Sequence, residues 1–290
     1  MTTQAQVALR VPDLGTGIAF YVEQLNFTLA EHDISSDVAR IITSDGRRSL
    51  VLVGPKAGDV TSSFIEHAFE IKLGEVLNFL HADVDALHAT LNQDHPTSPQ
   101  LTETRWGDRL LTVHDPGDNL LRFHTLARHS EQEWLELYIG GGEELEAAVA
   151  GLSESALELS LRPDSWTIRH TVHHLADAET RFLWWMKLAL AESGRLHTPD
   201  WRRASSGAGN ETLAAAFQHP KRTIAPSLTL VRAIRAHIAQ LLPYVPNAWE
   251  CYTLDEQSTK TTFGDLVVGL TRHLLEHVDE IVATRRLHGR

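Results

Sequence analysis

The apolar positions change period once along the chain, near residue 128. Before that point, short β-rich runs alternate with amphipathic stretches. QVALRV (6–11) reads as a strand, Leu14 to Leu25 as a helix opened by Asp13, and FTLAEH, VARIITS and SLVLVG as three strands separated by turn residues. A similar order returns with HAFEIKL (67–73) as strand, DVDALHATLN (83–92) as helix, and RLLTVHD and NLLRFHT as closing strands around Pro116-Gly117. Residues 1–128 are therefore expected to form an α+β domain of paired βαβββ modules.

Beyond about residue 130 the pattern is helical. Four runs are expected, at about 143–153, 166–192, 211–242 and 262–286, with Pro220 and Pro226 interrupting the start of the third. Residues 143–290 then read as an all-α four-helix bundle. Between the domains, residues 129–142 end in Gly140, Gly141 and Gly142. Each glycine costs a helix roughly 1 kcal/mol, so this stretch reads as a linker. No Gly-Lys-Ser/Thr follows it, which argues against a phosphate-cradling loop. The second and third helical runs are joined by RLHTPDWRRASSGAGN, long enough to be functional.

Composition narrows the partners. Lys plus Arg is 26 against 38 for Asp plus Glu, a formal charge of -12, which repels polyanions and argues against nucleic acid. A single cysteine, Cys251, excludes an intramolecular disulfide and fits a reducing compartment. Neither a signal-like N-terminus nor a membrane-length apolar run is legible, so a cytoplasmic location without membrane attachment is expected.

The 17 histidines change the picture through their placement. On the last helical run, Leu266, Leu270, His273, Leu274, His277 and Ile281 share one stripe, so both imidazoles face the bundle interior, close enough to share a metal. A third ligand must come from another helix, and WTIRHTVHHLADAE offers His170, His173 and His174. A lone histidine on an apolar face is more often a hydrogen-bonded core residue; the combination favours metal. Three neutral imidazoles leave a divalent ion with an open position, as catalytic sites do. Such an ion acidifies a water and ionises a thiol.

Asp177, Glu179 and Glu276 are candidates to orient a ligand's second nitrogen or to shuttle a proton. Arg202 and Arg203 could bind an anionic cosubstrate, against the plainer reading of surface charge. Trp166, Trp184, Trp185 and Trp201 read mainly as core, Trp166 as a packing anchor. Nothing near Cys251 would activate it.

EELEAAVAGLSESAL, RPDSWTIRHTVHHLADAE and TFGDLVVGLTRHLLEHVDEI together resemble the DinB/YfiT-like proteins, four-helix bundles with a three-histidine metal site. The resemblance covers about residues 135–285. It implies His174, His273 and His277 as ligands, with His173 the rival for the first, and zinc or nickel as the metal. It also implies a hydrolase or a transferase acting with a low-molecular-weight thiol. VPDLGTGIAFYVEQLNF and HDPGDNLLRFHT resemble the vicinal oxygen chelate superfamily of glyoxalases and bleomycin-resistance proteins. In that superfamily metal positions would fall on Gln6, His67 and Arg122. A guanidinium cannot ligate a metal, so this domain is expected to bind a small molecule without one, or to serve folding and dimerisation.

The function expected is thus a metal-dependent thiol S-transferase or hydrolase of small molecules, in detoxification. The alternative is a non-catalytic protein that sequesters a toxic ligand, with a structural metal. A homodimer is expected in either case.

Overall fold

The computed structural model describes residues 6–44, 46, 48–57, 68–70, 76–91, 99–163, 165–194, 197–198, 207–255 and 258–290. The chain divides into two compact units, Met1–Arg128 and His129–Arg290.

In the first unit, β1 (Gln6–Arg10), α1 (Leu14–Ala19), β2 (Thr28–Asp33), β3 (Val38–Ile42) and β4 (Ser49–Val53) form one βαβββ module. Asp13 caps α1 by accepting the Thr16 amide at 2.7 Å. A second module follows: β6 (Val76–Leu80), α2 (Val84–Leu91), β7 (Gln100–Glu103), β8 (Arg109–His114) and β9 (Leu120–Thr125). Sheet orders are β2-β3-β4-β1-β5, with β5 at Ala68–Glu70, and β6-β9-β8-β7. Leu9, Ile41, Leu50 and Leu52 from the first sheet join Phe79, Leu111, Leu121 and Phe123 from the second in one buried cluster. Burial of each such side chain contributes on the order of 1.5–3 kcal/mol. Tyr21 donates its hydroxyl proton to Asp115 at 2.7 Å, tying the first module to the turn before β9.

The expected paired modules are present, but the second opens later than the sequence reading placed it. Of HAFEIKL the described residues are Ala68–Glu70, a strand, β5, which extends the first sheet by pairing in parallel with β1. The second module opens instead at Val76–Leu80, parallel to β9. Both segments are rich in apolar residues, and sheet pairing distinguishes them. β7, QLTE, was absent from the reading because it is polar and mostly exposed. His67 lies outside the described residues, as does the side chain of Gln6. Arg122 is on β9, between Leu121 and Phe123, whose side chains enter the core, and its strand partner in β6 is Asn78.

The second unit is a bundle of α3 (Glu131–Val149), α4 (Ile168–Ala191), α6 (Ala225–Ala239) and α7 (Phe263–Leu287), with the short helix α5 (Gly207–Ala216) between α4 and α6. The linker expected over 129–142 is a correction: most of it is the first half of α3. Ser130 and Glu133 form a capping box at its start, Glu133 accepting the Ser130 amide at 2.7 Å. The glycines sit in this helix because of its neighbours. A Cβ on Gly141 would stand 2.6 Å from Arg235 Nη1 and 3.0 Å from a Leu274 methyl, so a side chain there would push α6 and α7 away. The helix-propensity cost is offset by close packing, which single-residue propensity does not see.

Pro220 and Pro226 split the long third run into α5, a 3-10 turn at His219–Lys221, and α6, with Pro226 in the first turn, where its missing amide costs nothing. A small sheet of β10 (His197–Thr198), β11 (Tyr252–Asp255) and β12 (Lys260–Thr262) leads into α7 and was not foreseen. Among the described residues, no helix is long and apolar enough to cross a membrane.

Candidate metal centre

Two helices carry the centre. α4 is opened by Thr167, whose hydroxyl accepts the His170 amide at 3.2 Å. α7 is opened by a capping box in which Thr262 accepts the Asp265 amide at 2.9 Å and Asp265 accepts the Thr262 amide at 2.8 Å. With both starts held, Leu266, Leu270, Leu274 and Ile281 anchor α7 in the bundle, and the i, i+4 spacing brings His273 and His277 to one face.

His174 of α4 meets them. One ring nitrogen from each of His174, His273 and His277 lies within 4.8 Å of the others. The Nε2 atoms of His174 and His273 are 3.0 Å apart, and the three ring centroids are separated by 5.0, 5.4 and 4.9 Å. Two nitrogens bound to a tetrahedral ion at about 2.0–2.1 Å would be about 3.3 Å apart, so the cluster needs little adjustment to close on a metal. Burial is the largest influence on two of the rings. It pushes the pKa of His174 down to about 3 and that of His273 well below its ordinary value, and the neighbouring imidazoles add to both shifts. Both are therefore neutral with a free lone pair, the form that binds metal. His277 donates from Nδ1 to Glu280 Oε2 at 2.7 Å, which fixes the tautomer and leaves Nε2 as the ligand atom.

Trp166 forms one wall. Its ring stacks on His170 at 4.4 Å and 11°, tilts over His174 at 4.6 Å, and lies 6.1 Å from His277, while its indole N–H donates to Glu211 at 2.6 Å. Beside the triad is a cavity of about 340 Å³, lined by apolar Ala178, Phe182, Leu266 and Leu270 and by His174, His273, Arg181 and Asn210.

The other candidates fall elsewhere. His173 uses both ring nitrogens on neighbours: Nε2 donates to the Arg222 carbonyl at 3.3 Å, and Nδ1 accepts from Ser227 at 2.8 Å. One residue is a turn of about 100° on a helix, and this separates it from His174. Asp177 accepts from His219 Nε2 at 3.1 Å. Glu179 is buried against Arg235, accepting from its Nε at 2.8 Å. Glu276 points to the exposed face, where it has its own interaction. Asp177 and Glu179 are thus engaged away from the triad. Glu280 orients a ligand of the triad, and the sequence reading missed it, although its i+3 position from His277 was a legible signal. Trp184 is 61% exposed rather than core, and Cys251 is partly buried beside the bundle's apolar cluster. Trp201, Arg202 and Arg203 lie outside the described residues.

Residues 139–281 match the model of the DinB superfamily. A protein of Geobacillus kaustophilus, assigned by inference as a metal-dependent hydrolase, is 31% identical over 121 residues, covering 40% of this chain. The chain spans 61% of that relative's length. YfiT of Bacillus subtilis, with the same inferred assignment, is 25% identical over 168 residues, 54% of this chain and 86% of that protein. Its solved structure, described as an unusual four-helix bundle topology, covers 57% of this chain and 92% of its own at 21% identity and a TM-score of 0.48. For the first unit, a lactoylglutathione lyase from Agrobacterium tumefaciens covers 43% of this chain and 94% of its own at 17% identity, with a TM-score of 0.35.

Proposed function

We propose that the DinB-superfamily domain in the C-terminal part of this chain is a metal-dependent enzyme acting on small molecules, by hydrolysis or by thiol transfer. The convergence of imidazole nitrogens from buried His174 and partly buried His273 and His277 beside an apolar cavity carries this reading. His174, His273 and His277 would hold one divalent ion, with zinc and nickel both suited to an all-imidazole set. When bound, the ion supplies a Lewis acid with an open position at which a water or a low-molecular-weight thiol gives up its proton.

The chain's own residues prepare that position. Glu280 holds the His277 ring in place through Nδ1. Trp166 closes one side of the His174 and His277 rings with an apolar face. Ala178, Phe182, Leu266 and Leu270 receive an apolar substrate body and limit water beside the reacting group. Such walls fit the electrophiles that a detoxifying enzyme would meet.

Elemental analysis of the full chain tests this directly. About one transition metal per chain is expected, lost in each of His174→Ala, His273→Ala and His277→Ala, together with turnover of electrophiles or esters. Water and added thiol, offered in competition, then separate hydrolase from transferase. Metal absent from protein prepared without chelator, and not restored on addition, would overturn the proposal.

A further inference from the structure

Among the described residues, the cavity beside the triad has largely apolar walls and one permanent cation, Arg181. It stands two turns after His174 on α4, and helical side chains lean toward the helix N-terminus, so its guanidinium reaches back toward the imidazoles. Among the described residues, Arg181 has no hydrogen bond or ion pair. The other arginines of the bundle interior are engaged: Arg169 with Glu154 and Glu158, Arg235 with Glu179.

Among the described residues, the carboxylate lining the cavity is Asp265, eight residues from His273 and so about 12 Å away along the helix axis. It is occupied by the Thr262 amide. Asn210, also on the cavity wall, has a buried Oδ1 without a partner. An unpaired cation next to a metal centre weakens metal binding by repulsion, and a bundle that only packed would gain by pairing or replacing it. The arrangement makes sense when a ligand brings the missing negative charge.

We propose that Arg181 is a specificity-determining residue, and that the substrate of this cavity is a small molecule with an apolar body and a carboxylate, held by the guanidinium while its reactive group faces the histidine triad. A planar carboxylate matches the guanidinium fork with two parallel N–H donors. Asn210 Oδ1 then accepts from a polar N–H or O–H on the same ligand. The inference rests on the metal-enzyme reading for which end of the substrate reacts. The recognition of charge by Arg181 can be tested apart from it.

The probes are straight-chain carboxylates from butyrate to octanoate and their uncharged amides, titrated calorimetrically into the full chain, both metal-loaded and chelated. At least one carboxylate is expected to bind ten-fold or more tightly than its amide in both forms. Arg181→Gln is expected to abolish that preference with metal content unchanged, and Arg181→Lys to keep part of it. A preference that survives in Arg181→Gln, or no preference in the wild type, whether or not the probes bind, overturns the assignment to Arg181. Loss of metal binding with the Arg181-dependent preference intact would instead remove the catalytic reading and leave this one standing.

Discussion

Glu280 accepts a hydrogen bond from Nδ1 of His277 at 2.7 Å, one turn along the same helix, and so determines which nitrogen of that ring faces His174 and His273. Glu280 is 57% exposed, yet its carboxyl is held below its ordinary range, chiefly by this bond. An exposed carboxylate engaged this way has little to contribute to folding, and its effect should appear in metal affinity.

Glu280→Gln is accordingly expected to weaken metal binding roughly 10–100-fold with little change in unfolding midpoint. Competition with a chromogenic chelator would measure it. An affinity equal to wild type would mean that the His277 tautomer is set by something else.

The glycine run offers a test within three residues. A Cβ at Gly140 meets nothing within 4 Å, whereas one at Gly141 meets Arg235 and Leu274. Gly140→Ala should stabilise the bundle by about 0.5–1 kcal/mol through helix propensity. Gly141→Ala should destabilise it by about 1–3 kcal/mol through overpacking. Urea denaturation of the two variants would show opposite shifts; equal shifts would return this segment to a linker.

Glu179 and Arg235 are both buried, and Arg235 also donates to the carbonyls of Tyr138 at 2.6 Å and Leu270 at 2.9 Å. Truncating the carboxylate leaves a buried cation without its counter-ion, at a cost of about 3–5 kcal/mol. Glu179→Ala should lower the melting temperature sharply while the folded fraction keeps its full metal content. Loss of metal at unchanged stability would place Glu179 in the centre after all.

Acid should destabilise the metal-free helical unit. Burial lowers the pKa of His173 to about 4 and of His174 to about 3, against an ordinary 6.5. Below pH 6.5 the unfolded chain takes up protons that the folded one refuses, so stability is complete above that pH and is lost progressively toward pH 3 to 4. Chelated protein should therefore show a denaturation midpoint that falls between about pH 7 and pH 5, and bound metal should enlarge the dependence by competing with the same protons. A flat profile over that interval would contradict it.

The order of elements was mostly legible from local pattern. Short β-rich runs bounded by turn residues marked β1 to β4, the stripe from Leu266 to Ile281 marked α7, and i, i+4 spacing put His273 and His277 on one face. These depend on interactions within a few residues, which is what a linear pattern records. Which residue would join them was another matter. HHLADAE offers His173, His174, Asp177 and Glu179 within two turns, and the partners that sort them are distant in sequence: Ser227, His273, His219 and Arg235 respectively. The same holds for Gly141, helical because α6 and α7 need its missing side chain, and for β5, distinguished from β6 by the sheet it joins. Local pattern alone was enough for two domains, most of their elements and a histidine pair on one helix face. Packing of α4 against α7 was needed to bring His174 to that pair and to give Asp177 and Glu179 partners elsewhere, because such contacts join distant segments and no local period encodes them.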